Sequence, residues 1–201
     1  MRAVVIGNGD INDYEYISSL IRNDDTIICA DGGLRHAEAM GLITNVAIGD
    51  FDSYKSDIKV KKFVYPERKD YTDGELAVQY AIDNGYDEIM LLGMTGKRLD
   101  HTLTDILLLS KYENSYLIDD YNEVHIVSSK LVLRDKKGKT LSIIPVLSDL
   151  KGITTKGLEY PLHDETLFFG ESRGNSNVVT DDTCIIEVRS GMGIVIINNG
   201  D

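Results

Sequence analysis

Val46-Ala47-Ile48-Gly49-Asp50-Phe51-Asp52-Ser53 carries an apolar run directly into an acidic turn. A short apolar run bounded by turn residues is typical of a buried strand in a parallel sheet. Polar or glycine-rich sequence also follows three other apolar runs, Ala3 to Ile6, Thr26 to Ala30 and Glu88 to Leu92. Segments with helical spacing lie between these runs. Repeated strand–helix units of this length predict a doubly wound, mostly parallel α/β domain over residues 1–123.

The remaining elements of this domain follow from apolar spacing and from helix-end signals. The clearest helix start is Thr72, because Glu75 stands at the capping-box position, and Gly85 ends this helix. The other predicted helices are Tyr14 to Ile21, Leu34 to Met40 and Thr102 to Lys111, and the other predicted strands are Lys62 to Tyr65 and Ser115 to Ile118.

After Glu123 the helical spacing disappears and short apolar strands alternate with turns. This pattern predicts an antiparallel β-sandwich as a second domain, residues 124–201. The predicted strands are Val124 to Val127, Leu131 to Leu133, Leu141 to Val146, Ile153 to Thr155, Leu167 to Phe169, Thr183 to Val188 and Ile194 to Ile197.

The composition limits the classes of partner. The 201 residues include 33 acidic and 21 basic side chains, for a formal net charge of -12. Such a charge repels nucleic acid and anionic membrane, so neither is expected as a partner. The chain shows no signal-peptide pattern and no run of membrane-spanning length, and we predict a cytoplasmic protein. Cys29 and Cys184 each stand in an apolar run, which favours buried free thiols.

Four aspartates follow predicted strand ends in the segment between Asn45 and Asp73. Asp50 and Asp52 follow one strand, Asp70 precedes the next helix, and Asp73 lies at the start of that helix. Carboxylate oxygens delivered by neighbouring loops are the ligands that Mg²⁺ takes together with substrate phosphates. An aspartate at a helix start also complements the helix dipole, so each residue alone is weak evidence. Together they predict a magnesium site.

The loop from Gly93 to His101 has the features of a polyphosphate-binding loop. Its glycines allow backbone amides to approach phosphate oxygens, and it leads into a helix N-terminus. Lys97 and Arg98 add positive charge, and Arg98 can bind phosphate through two nitrogens. The loop lacks the Walker A pattern.

The chain resembles the thiamin pyrophosphokinase (thiamin diphosphokinase) family. The resemblance rests on four motifs in order: Ala30-Asp31-Gly32-Gly33, Gly49-Asp50-Phe51-Asp52-Ser53, Asp70-x-Thr72-Asp73 and Gly96-x-Arg98-x-Asp100-His101. It implies transfer of a diphosphoryl group from ATP to the hydroxyl of thiamin, which gives thiamin diphosphate and AMP. It also implies a homodimer, with thiamin between the α/β domain of one subunit and the β-sandwich of the other.

The resemblance further implies roles for individual residues. Asp50, Asp52 and Asp73 would hold Mg²⁺, and Asp50, Asp73, Arg98 and Asp100 would take part in catalysis. Asp100 would also contact thiamin, together with Ser176 and Asn177 of the second domain. The ATP-binding set would be Asp31, Gly32, Gly33, Asp70, Thr95, Gly96, Lys97, Arg98 and His101. Lys97 and Val178 depart from residues that are common in the family, which bears on the thiamin pocket more than on the ATP site.

In the expected mechanism the thiamin hydroxyl attacks the β-phosphorus of ATP and expels AMP. Asp100 would orient the hydroxyl or accept its proton, and His101 is an alternative base. Three other functions are considered. They are a pyrophosphokinase that acts on a hydroxymethyl-pterin, a phosphatase that uses Asp50 as nucleophile and Asp52 as acid, and a non-catalytic nucleotide or thiamin sensor.

Overall fold

The computed structural model describes residues 1–51, 60–64 and 70–200. They form two compact units, Met1–Asp120 and Tyr121–Asp201. Asp52, one of the predicted metal ligands, lies outside the described residues.

The first unit contains a six-stranded sheet in which all the neighbouring strands are parallel. The strand order is β4-β3-β2-β1-β5-β6, so the chain builds outward from β1 in one direction and then in the other. The point of reversal lies between β1 and β5, where the connecting loops diverge and leave a crevice. The strands are β1 (Arg2–Ile6), β2 (Thr26–Ala30), β3 (Val46–Gly49), β4 (Lys61–Val64), β5 (Glu88–Leu92) and β6 (Ser115–Ile118).

Helices cover the two faces of this sheet, as predicted for a doubly wound fold. On one face Val4, Ile6 and Met90 pack with Ile17 and Leu34 in a single apolar cluster. On the other face α3 packs against β1, β2 and β3. The helices are α1 (Tyr14–Ser19), α2 (Leu34–Ala39), α3 (Asp73–Asp83) and α4 (Leu99–Leu108), with short 3₁₀ helices at Asp31–Gly33 and Leu109–Lys111.

The starts of α3 and α4 matter most for function. The Thr72 hydroxyl accepts a hydrogen bond from the Glu75 backbone N–H at 3.1 Å, which confirms the predicted cap. By contrast, α4 begins at Leu99 and not at Thr102. The Thr102 hydroxyl instead accepts a hydrogen bond from the Gly96 backbone N–H at 3.2 Å. Asp100 therefore lies in the first turn of α4 and not in a loop.

Within the described ranges, no helix has the length and apolarity needed to cross a membrane.

The second unit is built from antiparallel strand pairs. One ladder runs β7-β13-β9 and another runs β9-β12-β8, while β10 and β11 also pair with β9. Buried and partly exposed residues alternate along β13, as expected for a strand with one face on the core. The strands are β7 (Asn122–Val127), β8 (Lys130–Arg134), β9 (Thr140–Lys156), β10 (Glu165–Leu167), β11 (Asn177–Val178), β12 (Thr183–Glu187) and β13 (Ser190–Asn198).

The long strand β9 corrects one prediction of the sequence analysis. Leu141 to Val146 and Ile153 to Thr155 were predicted as two strands, but both belong to β9. The polar residues between them interrupt the alternation, and the backbone takes a positive φ at Leu147 (66°) and Gly152 (64°). These two residues therefore change the direction of the strand without ending its pairing.

Both cysteines are free and buried, as the sequence predicted. Cys29 lies in β2, and burial raises the pKa of its thiol to about 12. Cys184 lies in β12, and burial raises the pKa of this thiol to about 11. Both groups are therefore thiols, not thiolates, at neutral pH, and they serve as core residues.

Candidate active site

A pocket of about 590 Å³ lies at the carboxyl ends of the parallel strands of the first unit. Its wall comes from the loops after β1, β2, β3 and β5 and from the first turns of α3 and α4. The pocket thus occupies the crevice at the reversal of strand order, where doubly wound sheets bind ligands. Polar or glycine-rich sequence was predicted to follow four strands, and residues of all four loops line this pocket.

The loop after β1 is joined to the loop after β5 by backbone hydrogen bonds. The Gly9 N–H donates to the Gly93 carbonyl at 2.6 Å, and the Asp10 N–H donates to the Thr95 carbonyl at 2.7 Å. A Cβ atom on Gly9 would lie 2.3 Å from the Thr95 carbonyl oxygen. Only glycine allows the two backbones to approach so closely, and the result is a continuous polar wall.

Three carboxylates of the pocket wall lie close together. Asp31, Asp50 and Asp73 are each half-buried, and their oxygens lie within 4.8 Å of one another. Gly49 allows this approach, because a Cβ atom there would lie 3.1 Å from the Asp31 Cα. From the sequence, Asp50 and Asp73 were predicted to hold a cation and Asp31 to contact ATP. The structure places Asp31 with the other two.

These carboxylates have the properties of a site for a hard divalent cation. Oδ1 of Asp31 is buried and accepts no hydrogen bond from any residue in the described ranges. Several half-buried carboxylates at short distance repel one another unless a cation or protons compensate. Carboxylate oxygens are the donors that Mg²⁺ takes. The residues present therefore fit a bound Mg²⁺ ion.

One of these aspartates and one residue that follows Asp50 hold unusual backbone conformations. Asp31 itself has φ 43° and Phe51 has φ 59°, both in the left-handed region that non-glycine residues rarely adopt. Such conformations persist only where the surrounding structure enforces them, and they are frequent at functional sites.

The loop after β5 supplies the positively charged part of the wall through Lys97 and Arg98, and His101 in the first turn of α4 also lines the pocket. The conformation of this loop is held from two sides. Thr95 donates from its hydroxyl to Asp119 Oδ2 at 3.1 Å, and the Gly96 N–H bonds to Thr102. Thr95 and Gly96 line the pocket as well, so this part of the predicted ATP-binding set lies on one wall.

Arg98 and Asp100 form a two-point ion pair in this structure. Arg98 Nε lies 2.9 Å from Asp100 Oδ1, and Nη2 lies 2.6 Å from Oδ2. The hydrogen bond from Arg98 holds the pKa of Asp100 well below its usual range. Asp100 is therefore a weak base as long as this pair persists, and it is better suited to orienting a group than to accepting its proton.

Two aspartates that line the pocket, Asp10 and Asp105, were not among the site residues predicted from the sequence. Asp105 is only 8% exposed, and burial raises the pKa of its carboxyl group to about 7. Arg98, His101, Thr102 and Asp105 line the pocket together at helical spacing along α4. This spacing could have indicated from the sequence that Asp105 belongs to the site. It was not recognised because the helix was predicted to begin at Thr102, after Arg98 and His101.

Several predicted site residues do not line this pocket. Gly32 and Gly33 are buried behind it, where Cβ atoms would lie 2.4 Å from the Asn8 side chain and 2.0 Å from the Ile6 carbonyl oxygen. Asp70 and Asp100 are exposed outside its wall. Ser176 and Asn177 belong to the second unit, where the Asn177 amide donates to the Tyr160 carbonyl at 2.8 Å.

Comparison with known proteins identifies the family. Residues 17–118 match the family model described as thiamin pyrophosphokinase, catalytic domain, and residues 124–195 match the one described as thiamin pyrophosphokinase, vitamin B1 binding domain. The chain belongs to the thiamin pyrophosphokinase family. ATP-dependent diphosphoryl transfer to thiamin is accordingly its reaction class, and neither the pterin nor the phosphatase alternative is favoured.

Individual relatives agree with this membership. The thiamine pyrophosphokinase of Bacillus subtilis is 30% identical over 169 residues, which cover 78% of this chain and 79% of that protein. Thiamin pyrophosphokinase 1 of Caenorhabditis elegans is 27% identical over 164 residues, with 74% and 68% covered. The crystal structure of the Bacillus subtilis enzyme superposes with a TM-score of 0.86 at 25% identity and covers 98% of this chain and 99% of that one.

Proposed function

We propose that this enzyme binds ATP in the pocket of its first unit and transfers the β,γ-diphosphoryl group to the hydroxyl of thiamin, releasing AMP. The observation that carries the proposal is the composition of the pocket wall. Asp31, Asp50 and Asp73 form one group of carboxylates, and the glycine-rich loop with Lys97 and Arg98 lines the same pocket. A polyphosphate chelated to a cation needs both kinds of wall at once.

We further propose that Mg²⁺ is held by Asp31, Asp50 and Asp73, with Asp52 as the additional ligand inferred from the sequence. The ion would neutralise charge that develops on the phosphates during the transfer. The assignment of Asp31 rests on the short distances within the three-carboxylate group and on its buried Oδ1 atom.

The chain's own residues would act mainly by positioning the reactants. Backbone N–H groups at the start of α4 and the side chains of Lys97 and Arg98 would hold phosphate oxygens. Arg98 is paired with Asp100 in this structure. On binding phosphate, Arg98 would either leave Asp100 or contact the carboxylate and the phosphate at the same time. Asp100 would then orient the thiamin hydroxyl, and His101, which lines the pocket, would be the alternative proton acceptor.

The thiamin side of the site is proposed from the family resemblance and from the match of residues 124–195 to a vitamin B1 binding domain. Ser176 and Asn177 would contact the pyrimidine ring, and the active form would be a homodimer in which a second copy contributes these residues. Light scattering during size-exclusion chromatography tests the oligomeric state.

The cytoplasmic location and the contact of Asp70 with ATP stay predictions from the sequence.

A product assay tests the proposed reaction. We expect incubation with ATP, Mg²⁺ and thiamin to yield thiamin diphosphate and AMP in equal amounts, measured by chromatography with mass spectrometry. A hydroxymethyl-pterin offered in place of thiamin is expected to remain unmodified. Release of inorganic phosphate without AMP would instead indicate a phosphatase, and binding of both substrates without any product would indicate a sensor.

Arg98→Ala is expected to raise the KM for ATP about tenfold or more, because a two-point phosphate contact is lost. The KM for thiamin should change less. Steady-state kinetics with each substrate varied in turn measure both values, and Arg22→Ala is the control because Arg22 is exposed and lies outside the pocket. Unchanged ATP kinetics in Arg98→Ala would contradict the assignment.

A further inference from the structure

Asp105 differs from the other buried polar side chains of the described chain, because it has no protein partner. Each of the others makes a hydrogen bond or an ion pair. These pairs are Arg2 with Asp25, His36 with Tyr14 and Gly9, Thr44 with Cys29, Ser115 with Leu109, Glu123 with His125 and Lys136, and Thr155 with Leu162. No hydrogen bond or ion pair joins Asp105 to any residue in the described ranges.

A buried carboxyl group without a partner destabilises the folded protein. Leaving a polar group unsatisfied in the interior is unfavourable, and a charged group is worse. The raised pKa of Asp105 has the same cause, since burial penalises the charged form and nothing compensates. A core position with this property would be better filled by an apolar residue of similar shape, such as leucine.

The position of Asp105 indicates where its partner would come from. Asp105 is one of the pocket-lining residues on α4, one helical turn beyond His101. Its Oδ1 atom lies beside Gly74 in the first turn of α3, where an added Cβ atom would be only 3.6 Å away. Met94 borders the same space, with its sulfur 3.4 Å from that Cβ position. The carboxyl group thus lies at the inner wall of the pocket, between two helices that carry other site residues.

We propose that the carboxyl group of Asp105 forms a hydrogen bond with bound ATP and is a nucleotide-binding residue. The inference rests on the proposed function, in that ATP occupies this pocket. The nucleotide is the substrate to expect there, because the pocket lies in the first unit, whereas the vitamin B1 binding match covers the second. The hydrogen bond requires a polar group at this position but not a permanent charge. Asparagine should therefore preserve ATP binding, whereas leucine, which has a similar shape but no polar atom, should weaken it.

The test compares Asp105→Asn and Asp105→Leu with the wild-type protein by isothermal titration calorimetry with ATP. Mg²⁺ is kept at one fixed, saturating concentration in every titration, because the proposed pocket binds ATP together with the cation. We expect Asp105→Asn to bind ATP within about threefold of wild type, and Asp105→Leu to bind about 10- to 100-fold more weakly. The same titrations with AMP locate the bond. Weakening with both ligands assigns it to the AMP part, and weakening with ATP alone assigns it to the β- and γ-phosphates.

Thermal unfolding of the ligand-free proteins separates a binding role from a structural one. We expect Asp105→Leu to unfold at a higher temperature than wild type, because a largely desolvated carboxyl group has been removed. Higher stability together with weaker ATP binding is the combination that the proposal requires. The matched controls are Asp83→Asn and Asp83→Leu, since Asp83 is an exposed carboxylate at the end of α3 outside the pocket. Both should bind ATP as wild type does.

Three results would overturn the proposal. The first is unchanged ATP affinity in Asp105→Leu. The second is an equal loss in Asp105→Asn and Asp105→Leu, which would mean that a charge is needed. The third is a lower unfolding temperature in Asp105→Leu with normal binding, which is the result of a purely structural role. If Asp105→Leu does not fold, Asp105→Ala replaces it with the same expectations. Failure of the wild-type protein to bind ATP would instead refute the proposed function of the pocket, and the Asp105 inference with it.

Discussion

Asp50→Asn is expected to lower the kcat of diphosphoryl transfer about a thousandfold, and Asp73→Asn should have a similar effect. Each change removes one negative charge from a group of three carboxylates whose oxygens lie within 4.8 Å of one another. Asparagine keeps the shape of the side chain, so the fold should persist while affinity for the cation falls. The loss should be partly reversed by raising the Mg²⁺ concentration.

Titration with Mn²⁺, followed by its electron paramagnetic resonance signal, measures the cation affinity of these variants without reference to turnover. Asp31→Asn belongs in the same series, because the structure and not the sequence assigned it to the cation. Asp24→Asn is the control, since Asp24 is exposed and outside the pocket. Near wild-type turnover in Asp50→Asn or Asp73→Asn would show that the cation is held elsewhere.

The stability advantage of Asp105→Asn over wild type is expected to grow by up to about 4 kcal/mol between pH 4 and pH 8. In the folded protein the pKa of Asp105 is raised to about 7, whereas in the unfolded chain it is about 3.9. Between these two values the folded state holds a proton that the unfolded state has lost. Rising pH therefore destabilises wild type through this group, and asparagine cannot titrate.

Urea unfolding followed by circular dichroism over that pH range measures this difference in the free energy of unfolding. The other ionisable groups of the pocket are present in both proteins, so the comparison isolates Asp105. Asp83→Asn is again the control, and its difference from wild type should stay within about 0.5 kcal/mol at every pH. If the Asp105→Asn difference is equally flat, the Asp105 carboxyl group is not desolvated in solution.

Local sequence was sufficient for most of the secondary structure in the first unit. The strands at Thr26–Ala30, Glu88–Leu92 and Ser115–Ile118 have the predicted bounds. Each is a short apolar run closed by polar or glycine-rich residues, a signal that is contained within the element itself. The cap at Thr72 was equally local, because the hydroxyl and the N–H group that it accepts from are three residues apart.

The errors arose where distant contacts override local preference. Thr102 has the chemistry of a helix cap, but its hydroxyl bonds to Gly96 in the preceding loop and the helix begins earlier. The polar residues inside β9 resemble a turn, but partner strands continue the pairing across them. Neither outcome could be inferred from a window of neighbouring residues.

Residue types and their spacing were enough to predict the fold class, and they pointed to an acidic turn and a glycine-rich, basic loop, both of which contribute residues to the pocket. They could not say which carboxylates act together. Asp31 joins Asp50 because β2 and β3 are neighbours in the sheet and Gly49 allows close approach. Nor could they show that Asp105 has no partner among the residues that the structure describes. Distance and desolvation depend on how segments far apart in the chain pack against one another, and only the folded chain contains that information.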